Sequence, residues 1–214
     1  MKSRLVSVAL LALLLSACSS SPKTAYYTLS ATPAPPAPSA PGASTGTSVI
    51  VGPVSLPESV DQALLVVQNG SNQVSMNEFH RWAGSLKGDI SRVVAANLAN
   101  DLGTTRVWSY AQSTQTKADY QVLIDVQTFD ARLGEVVVLD VLWTIRPSAS
   151  NASGVTPAKA GGKPAETPVA TPRLPRSGRT LVREAVSGAG YEPLVAAQSR
   201  ALMQVSADIA RAIR

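Results

Sequence analysis

Cys18 is the residue whose type and position most clearly indicate chemistry. It ends the sequence Leu15-Ser16-Ala17-Cys18, in which an apolar residue and two small residues precede a cysteine, as in a lipobox. Small side chains before the scissile bond suit signal cleavage, and a thiol at the new N-terminus can carry diacylglycerol. Cys18 is the only cysteine of the chain, so no intramolecular disulfide accounts for it. We therefore predict that Cys18 is lipidated.

The residues before Cys18 have the features of an export signal. Lys2 and Arg4 supply a positive n-region, and the apolar run at 5–15 has the length of a signal h-region. That run is too short for a transmembrane helix, which needs about 20 residues. We expect residues 1–17 to be removed; an ordinary secretory signal followed by a chance cysteine is the alternative. Ser19, rather than Asp, follows the cysteine, which favours the outer membrane over retention in the inner membrane.

No other group of residues in the sequence supports catalysis. His80 is the single histidine, so the usual zinc sites built from several cysteines and histidines are excluded. The sequence has no Gly-x-Ser-x-Gly elbow, no phosphate-binding glycine-rich loop and no dinucleotide fingerprint. Asp125, Asp140 and Glu184 fall on predicted strands, mainly on faces away from the core, where charged residues normally lie. The sequence therefore predicts a protein that is not an enzyme and that uses no cofactor or metal.

The net charge is too small to indicate a nucleic-acid partner. The 214 residues include 19 Lys and Arg and 14 Asp and Glu, a formal charge of +5. Removal of Lys2 and Arg4 leaves 17 basic residues (19 − 2), and the mature charge is then +3 (17 − 14). The basic residues do not form a long run. Three tryptophans are expected to pack in the core or in an interface rather than to form a ligand cage: Trp82, Trp108 and Trp143.

Two proline-rich stretches divide the mature chain. Residues 31–47 are of low complexity and should be extended, so residues 18–47 are predicted to be a lipidated tether whose proline-rich part could reach roughly 50 Å. Residues 48–214 are predicted to form one folded domain. Within that domain, residues 147–178 contain six prolines and little that could be buried, which predicts a disordered loop.

Alternation of apolar and polar residues predicts the strands of the body. They are expected at 49–54, 64–68, 106–110, 120–128, 137–145 and 179–186. Residues 73–76 are expected to complete a short hairpin across the turn Asn69-Gly70. The strands at 120–128 and 137–145 are predicted to form an antiparallel hairpin with one buried face, and 179–186 to pair with the second of them.

Two helices complete the predicted domain. Residues 78–102 carry apolar side chains at three- and four-residue intervals, which predicts a helix with Asn77 as its N-cap and Gly103 as its C-terminal cap. A second helix has Pro193 in its first turn and a single stripe formed by Val195, Gln198, Leu202, Val205, Ile209 and Ala212. The order of elements predicts an α+β fold with a mixed, mostly antiparallel sheet covered on one face by two long helices.

Five segments carry a family resemblance, one before the predicted body and four within it: 26–29, 51–57, 79–86, 120–129 and 194–202. The most distinctive is Phe79-His80-Arg81-Trp82-Ala83-Gly84-Ser85-Leu86, which has the pattern Phe-x-x-Trp-Ala-x-x-Leu. Taken in order, these segments resemble the ABC-type transport auxiliary lipoproteins, the paraquat-inducible (PqiC-type) outer-membrane lipoproteins. The stretches at 31–47 and 147–178 are longer than the family's pattern.

The resemblance implies a non-catalytic component of an envelope phospholipid-transport system. Family members accompany inner-membrane proteins with mammalian-cell-entry (MCE) domains, and the lipoprotein would dock that conduit at the periplasmic face of the outer membrane. The alternatives are a lipoprotein that carries lipid or assists an outer-membrane barrel, as lipopolysaccharide-assembly lipoproteins do, and an envelope hydrolase that uses His80. Phe79, Arg81 and Trp82 are expected at a partner or self-association surface, with core packing of Phe79 and Trp82 as the alternative.

Overall fold

The computed structural model describes residues 22–33, 46–112, 117–148 and 174–214 of the chain. The predicted signal peptide, Cys18, most of the predicted tether and most of the 147–178 loop lie outside these residues. The described strands are β1 (Ala25–Tyr27), β2 (Val49–Ser55), β3 (Leu64–Gln68), β4 (Val74–Trp82), β5 (Val107–Ser109), β6 (Tyr120–Ala131), β7 (Val136–Pro147) and β8 (Arg176–Ala185). The described helices are α1 (Leu86–Leu102) and α2 (Tyr191–Ile213), with a 3-10 turn at Tyr110–Gln112.

Five strands form the large sheet, in the order β5-β2-β6-β7-β8. β2 pairs in parallel with both β5 and β6, whereas the long pairs β6–β7 and β7–β8 are antiparallel. Pro53 has no N–H to donate, and the register between β2 and β6 shifts between Val51 and Val54, on either side of it. The predicted 120–128/137–145 hairpin and its pairing with the 179–186 strand are confirmed.

The two helices form a layer on the large sheet. α1 contacts β2 and β5, α2 contacts β7 and β8, and the helices pack against each other. Alternate residues of β7 are buried beneath this layer: Val137, Leu139, Val141, Trp143 and Ile145. The predicted α+β fold, with a mixed sheet covered by two long helices, is confirmed. In the described part of the chain, no helix is both long and apolar enough to cross a membrane.

The predicted helix at 78–102 is wrong at its N-terminal end, because residues 78–82 belong to β4. The backbone N–H of Trp82 donates to the carbonyl of Ala63 at 2.8 Å, and His80–Trp82 pair in parallel with β1. These partners are distant in sequence, so local periodicity does not reveal them. Strand pairing therefore overrides the helical spacing of Phe79 and Trp82.

The caps of α1 show where the helix begins and ends. Ser85, rather than Asn77, is the N-cap, and its side chain accepts the backbone N–H of Gly88 at 3.4 Å. Asn77 accepts the backbone N–H of Phe79 within β4 instead. At the other end, Gly103 adopts a left-handed conformation with φ of 63°, which confirms the predicted C-terminal cap.

The other three strands form a small sheet in the order β1-β4-β3. β1 places the N-terminal segment within the folded body, and Leu29, two residues after β1, is fully buried in the core. The predicted tether of residues 18–47 and the predicted start of the body at residue 48 are therefore wrong for residues 25–33. The physical reason is that β4 offers a strand edge to β1 and the core offers a site to Leu29.

β8 begins at Arg176, inside the predicted 147–178 loop. Gly178 lies directly against the indole of Trp143, and a Cβ added at Gly178 would lie 2.2 Å from the ring carbon Cζ2. Because only glycine allows this close approach, the strand continues through a residue that usually weakens strands. The indole N–H of Trp143 donates to Oγ1 of Thr180 at 3.1 Å, which fixes the ring in the core.

Candidate functional site

The folded body begins close to the predicted lipidation site. Cys18 lies outside the described residues, and the described chain starts at Pro22. Six residues, 19–24, lie between Cys18 and Ala25, the first residue of β1, and a fully extended chain over this distance spans at most about 25 Å. A lipid on Cys18 would therefore hold the small sheet near the membrane surface.

Residues 28–33, which we call the strap, follow β1 and lie against both helices. Leu29 anchors the strap in the core. Its backbone N–H donates to Oδ2 of Asp89 at 3.2 Å, and its carbonyl accepts from Arg92 at 2.7 Å. Asp89 and Arg92 also form an ion pair at 2.9 Å, one turn apart on α1. Both polar groups of the Leu29 backbone are therefore held by one charged pair.

Further along the strap, polar helix side chains hold the backbone in the same way. The N–H of Ser30 donates to Oγ of Ser199 on α2 at 3.1 Å. The N–H of Thr32 donates to Oδ1 of Asn97 at 2.9 Å, and its carbonyl accepts from Asn100 at 3.2 Å. The α1 residues involved lie along one side of that helix because they are three, eight and eleven residues after Asp89. This polar stripe on α1 is the signal in the sequence from which a segment covering that side of the helix could be predicted.

A groove lies between the strap and α2. It has a volume of about 590 Å³ and is open to solvent. Residues from the N-terminal segment line one side, and a stripe of α2 lines the other; its apolar members are Tyr26, Ala31, Pro33, Val195, Ala196 and Met203. Tyr26 is 65% exposed and Met203 is 37% exposed. The groove therefore presents apolar side chains to the surroundings immediately beside the N-terminal segment.

His80 joins an aromatic cluster between β1, β4 and α2. Its ring stacks on Tyr191 with 3.7 Å between centroids, and its Nδ1 lies 2.8 Å from the hydroxyl of Tyr27. Burial, with Tyr191 and Glu192 nearby, raises the pKa of Tyr27 above its ordinary value. His80 is therefore a half-buried residue of a strand and not a residue of the helix predicted at 78–102. These contacts account for His80 as a packing residue that connects the small sheet to α2.

The structure places Phe79, Arg81 and Trp82 on β4. Trp82 is buried in the core, whereas Phe79 and Arg81 are half-buried. Phe79 lines an open surface depression of about 570 Å³ together with Met76 and Tyr191. Contact of these residues with a partner stays a prediction. Of the three, only Phe79 and Arg81 have side chains that a partner could reach.

Residues 74–79 are the part of β4 that follows the turn after β3, and we call them the outer hairpin. They extend the exposed apolar surface around Phe79. Val74 is 43% exposed and Met76 is 49% exposed, although both lie in a regular strand paired with β3. Glu78 and Asn77 are exposed between them and Phe79. An apolar surface rimmed by polar residues is typical of a protein-interaction site.

The carboxylates considered in the sequence each have their own partner. Asp140 on β7 is buried and bonded by Arg179 through Nε at 2.8 Å, and this hydrogen bond lowers the pKa of Asp140. Glu184 accepts from Arg200 on α2 at 2.7 Å, and Asp125 accepts from the Ser55 hydroxyl at 2.7 Å. Within the described residues, no cluster of three or more His, Cys, Asp or Glu side chains could hold a metal ion. Structural pairing is a sufficient explanation for each of these carboxylates.

The three tryptophans do not form one site. Trp82 lies on β4, Trp108 on β5 and Trp143 on β7, and Trp82 and Trp143 are buried among the core residues. Trp108 is half-buried next to β2, at the opposite end of the large sheet from β8. The three tryptophans therefore pack at separate positions in the fold.

Comparisons with known proteins identify the class to which this fold belongs. The model of the ABC-type transport auxiliary lipoprotein component matches residues 27–210. A crystal structure of an uncharacterised protein is similar with a TM-score of 0.64 and 18% identity, over 90% of this chain and 100% of the other. A Xanthomonas campestris protein from a family of unknown function is similar with a TM-score of 0.57 and 14% identity, over 87% and 93% of the two chains. No curated protein sequence matches the chain.

The family match begins in β1 and ends in α2, so it includes both sheets and both helices. The chain therefore belongs to the family of ABC-type transport auxiliary lipoproteins, which confirms the resemblance seen in the five sequence segments. The solved structures, at identities below one fifth, show the shared fold.

Proposed function

We propose that this protein is a non-catalytic outer-membrane lipoprotein that docks the periplasmic conduit of an MCE/ABC-type phospholipid-transport system. The observation that carries the proposal is the family match over residues 27–210, which makes the whole folded body a transport auxiliary component. Lipidation of Cys18 fixes the body on the periplasmic face, and Ser19 favours the outer membrane. The protein contributes position and a binding surface, and the partner performs the transport.

The N-terminal segment supports a docking role. Because β1 is paired with β4 and Leu29 is buried, only residues 19–24 separate the lipidated cysteine from the body. Such a short connection limits the body to a layer near the membrane. A periplasmic conduit would therefore have to extend to this layer, where the lipoprotein marks its end point on the outer membrane.

The outer hairpin is the surface we assign to the MCE-domain partner. Val74 and Met76 expose apolar side chains, Phe79 lies beside them, and Glu78 supplies a charged rim. Exposed apolar residues on a rigid strand form a binding surface with little conformational entropy to lose. Trp82 supports this surface from the core, and Arg81 is half-buried at its inner end.

The alternatives of a lipid carrier and a barrel assistant make different demands on the structure. A carrier should enclose an apolar ligand on most sides, since ligand sites normally bury most of the ligand. The groove beside the strap is open, which favours docking over carriage. A barrel assistant would instead bind an outer-membrane barrel and would be captured with it.

The proposal is tested by crosslinking the full-length lipidated protein in its own membranes and identifying captured proteins by mass spectrometry. A photoreactive residue at Met76 reports on the outer hairpin, and one at Leu181, which is 61% exposed on β8, is the matched control. We expect capture of an MCE-domain protein from position 76, little capture from position 181, and loss of capture in Cys18→Ala. Capture of a barrel instead, with no MCE-domain protein, would overturn the docking proposal.

A further inference from the structure

The groove between the strap and α2 is the second apolar surface near the N-terminus, and its shape differs from that of the outer hairpin. The α2 side of the groove runs from residue 192 to residue 203, a rise of about 16 Å along the helix. Tyr26, Ala31 and Pro33 are the apolar residues of the opposite side that face Val195, Ala196 and Met203. Polar side chains of the strap and of α2 lie between these apolar residues, at Thr28, Ser30, Thr32, Glu192, Ser199 and Arg200. An apolar row of this length suits an extended hydrocarbon chain better than a globular surface.

The walls of this groove are held in place without a ligand. The strap is fixed by hydrogen bonds from Leu29, Ser30 and Thr32 to helix side chains. Its other wall is α2, which belongs to the core of the domain. A preformed apolar groove binds without the entropy cost of ordering its own residues.

Arg200, the basic residue of the groove lining, is already engaged, and the other charged lining residue is the exposed carboxylate of Glu192. Arg200 donates through Nε to Glu184 at 2.7 Å and through a second nitrogen to the carbonyl of Ala185 at 3.0 Å. This guanidinium is committed to β8, so it does not offer a free fork to a phosphate. The chemistry of the groove therefore recognises an apolar chain rather than an anionic headgroup.

The position of the groove selects the source of that chain. Seven residues, 19–25, lie between Cys18 and Tyr26, which lines the groove, so the path between them is at most about 28 Å. The polar headgroup layer adds only about 5–8 Å outside the hydrocarbon on each side of a bilayer. A body lipidated at Cys18 can therefore bring the groove to the lipid surface.

We propose that this groove takes up one acyl chain of a phospholipid from the membrane to which Cys18 is anchored. The inference rests on the lipid anchor in the proposed function and not on the transport partner. Because the acyl chain leaves one apolar environment for another, the free energy of its transfer is close to zero. The groove is therefore occupied only while the body lies on the membrane. The groove thereby holds the body in one orientation, with the strap and α2 facing the lipid.

The test uses the full-length lipidated protein in vesicles of phosphatidylethanolamine and phosphatidylglycerol. The thiol of Cys18 carries the lipid, so the substitution Met203→Cys introduces a single free thiol, which is labelled with a fluorophore. Leu181→Cys, on exposed β8, gives the matched control. Phosphatidylcholine with a nitroxide at mid-chain or at the headgroup is added as quencher.

We expect the fluorophore at position 203 to be quenched more strongly by the mid-chain nitroxide than by the headgroup nitroxide, and the fluorophore at 181 to be quenched by neither. Ala196→Trp, which fills the groove from the exposed face of α2, should abolish mid-chain quenching at 203. Ala185→Trp, at an exposed position of β8, should leave it unchanged.

Three results would overturn the inference. The first is equal quenching at 203 and 181, which is also the result expected if the acyl chains of Cys18 itself filled the groove. The second is stronger quenching by the headgroup label at 203, which would mean proximity without entry. The third is mid-chain quenching that persists in Ala196→Trp. Co-flotation of the protein with the vesicles is measured first; its absence would refute the lipid anchor, and with it both this inference and the proposed function.

Discussion

The strap follows the small sheet and the outer hairpin is part of it, and the side chains of these two short segments are buried to very different extents. In the strap, Leu29 is fully buried and the backbone is bonded to helix side chains. In the outer hairpin, the backbone is satisfied by β3, whereas Val74 and Met76 remain largely exposed. The less apolar of the two segments is thus the one that contributes to the core.

This difference teaches that burial depends on the surface that receives a segment. α1 presents Asp89, Arg92, Asn97 and Asn100 to the strap, and these side chains replace the water that its backbone would lose. The outer hairpin meets no such surface among the described residues, so Val74 and Met76 stay 43% and 49% exposed and Phe79 is only half-buried. We propose that a partner protein covers the outer hairpin. We propose that the strap, in contrast, lies close to the lipid anchor on Cys18.

Truncation of Leu29 should have the largest effect on this comparison. Leu29→Ala removes a fully buried side chain, and we expect the free energy of unfolding to fall by about 2–5 kcal/mol. Chemical denaturation measures the change. Tyr26→Ala, at a residue 65% exposed in the same segment, should cost less than about 0.5 kcal/mol. Equal losses from both variants would show that the strap is not part of the core.

Loss of the Asp89 carboxylate tests the side-chain bonds separately from the core contact. Asp89 accepts from the Leu29 backbone, from the Thr28 hydroxyl and from Arg92. We expect Asp89→Ala to lower the free energy of unfolding by about 2 kcal/mol, because a hydrogen bond to a charged group is lost. Hydrogen exchange should show faster exchange at residues 29–32 and unchanged exchange in β7. Unchanged exchange throughout the strap would contradict the assigned role.

The pair of Asp140 and Arg179 provides a reference in the large sheet, away from both segments. Arg179 lowers the folded-state pKa of Asp140 below the unfolded value of about 3.9. The stability from this pair is therefore present above that pH and is lost as the pH falls through the folded-state pKa. We expect Asp140→Asn to cost about 1 kcal/mol at pH 7, because Arg179 is solvent-exposed. The difference between wild type and variant should shrink below about pH 4; a constant difference would refute the assignment.

Polar substitution in the outer hairpin should have the smallest effect on folding and a clear effect on binding. We expect Met76→Ser to change the free energy of unfolding by less than about 0.5 kcal/mol, since the residue is 49% exposed. The yield of crosslinked MCE-domain partner in membranes should nevertheless fall, whereas Leu181→Ser should leave it unchanged. A stable Met76→Ser variant with full capture would remove the outer hairpin from the proposed interface.

The large sheet and α2 could be predicted because their patterns are local. The apolar alternation in β7 and the stripe of α2 from Val195 to Ile209 each reflect one buried face, and both are confirmed. The exceptions are Asp140, which is buried on the other face of β7, and Ala212, which is only partly buried. The register shift between Val126 and Thr128 on β6 could not be seen in the sequence. Beyond this shift Phe129, rather than Thr128, is buried. Such shifts depend on the partner strand and leave no periodic signal.

In the small sheet, the predicted hairpin of 64–68 with 73–76 is confirmed, whereas β1, the end of β4 and the strap could not be predicted for the same reason. β1 has only three residues, and it is defined by its pairing with β4, more than fifty residues later. The spacing of Phe79 and Trp82 fits a helix equally well, so periodicity favoured the wrong element. The family resemblance identified this segment as distinctive but did not reveal its conformation.

The correction of the N-terminus changes the meaning of the proline-rich stretch. Near the two ends of the stretch at 31–47, Thr32 is bonded to α1 and the carbonyl of Gly46 accepts from Arg106. Residues 34–45 therefore join two fixed points of the body and do not connect the body to its anchor. The predicted reach of roughly 50 Å for a proline-rich tether no longer applies to the anchor.

The most direct test of this account is the height of the body above a lipid bilayer. A donor fluorophore at Leu181→Cys and acceptors at the vesicle surface give that height by energy transfer in the full-length lipidated protein. The account predicts that a deletion within residues 34–45 leaves the height unchanged and that a Gly-Ser insertion after Ser20 increases it. The reverse result, in which the deletion lowers the body and the insertion has no effect, would show that the proline-rich stretch is the tether and would contradict the account.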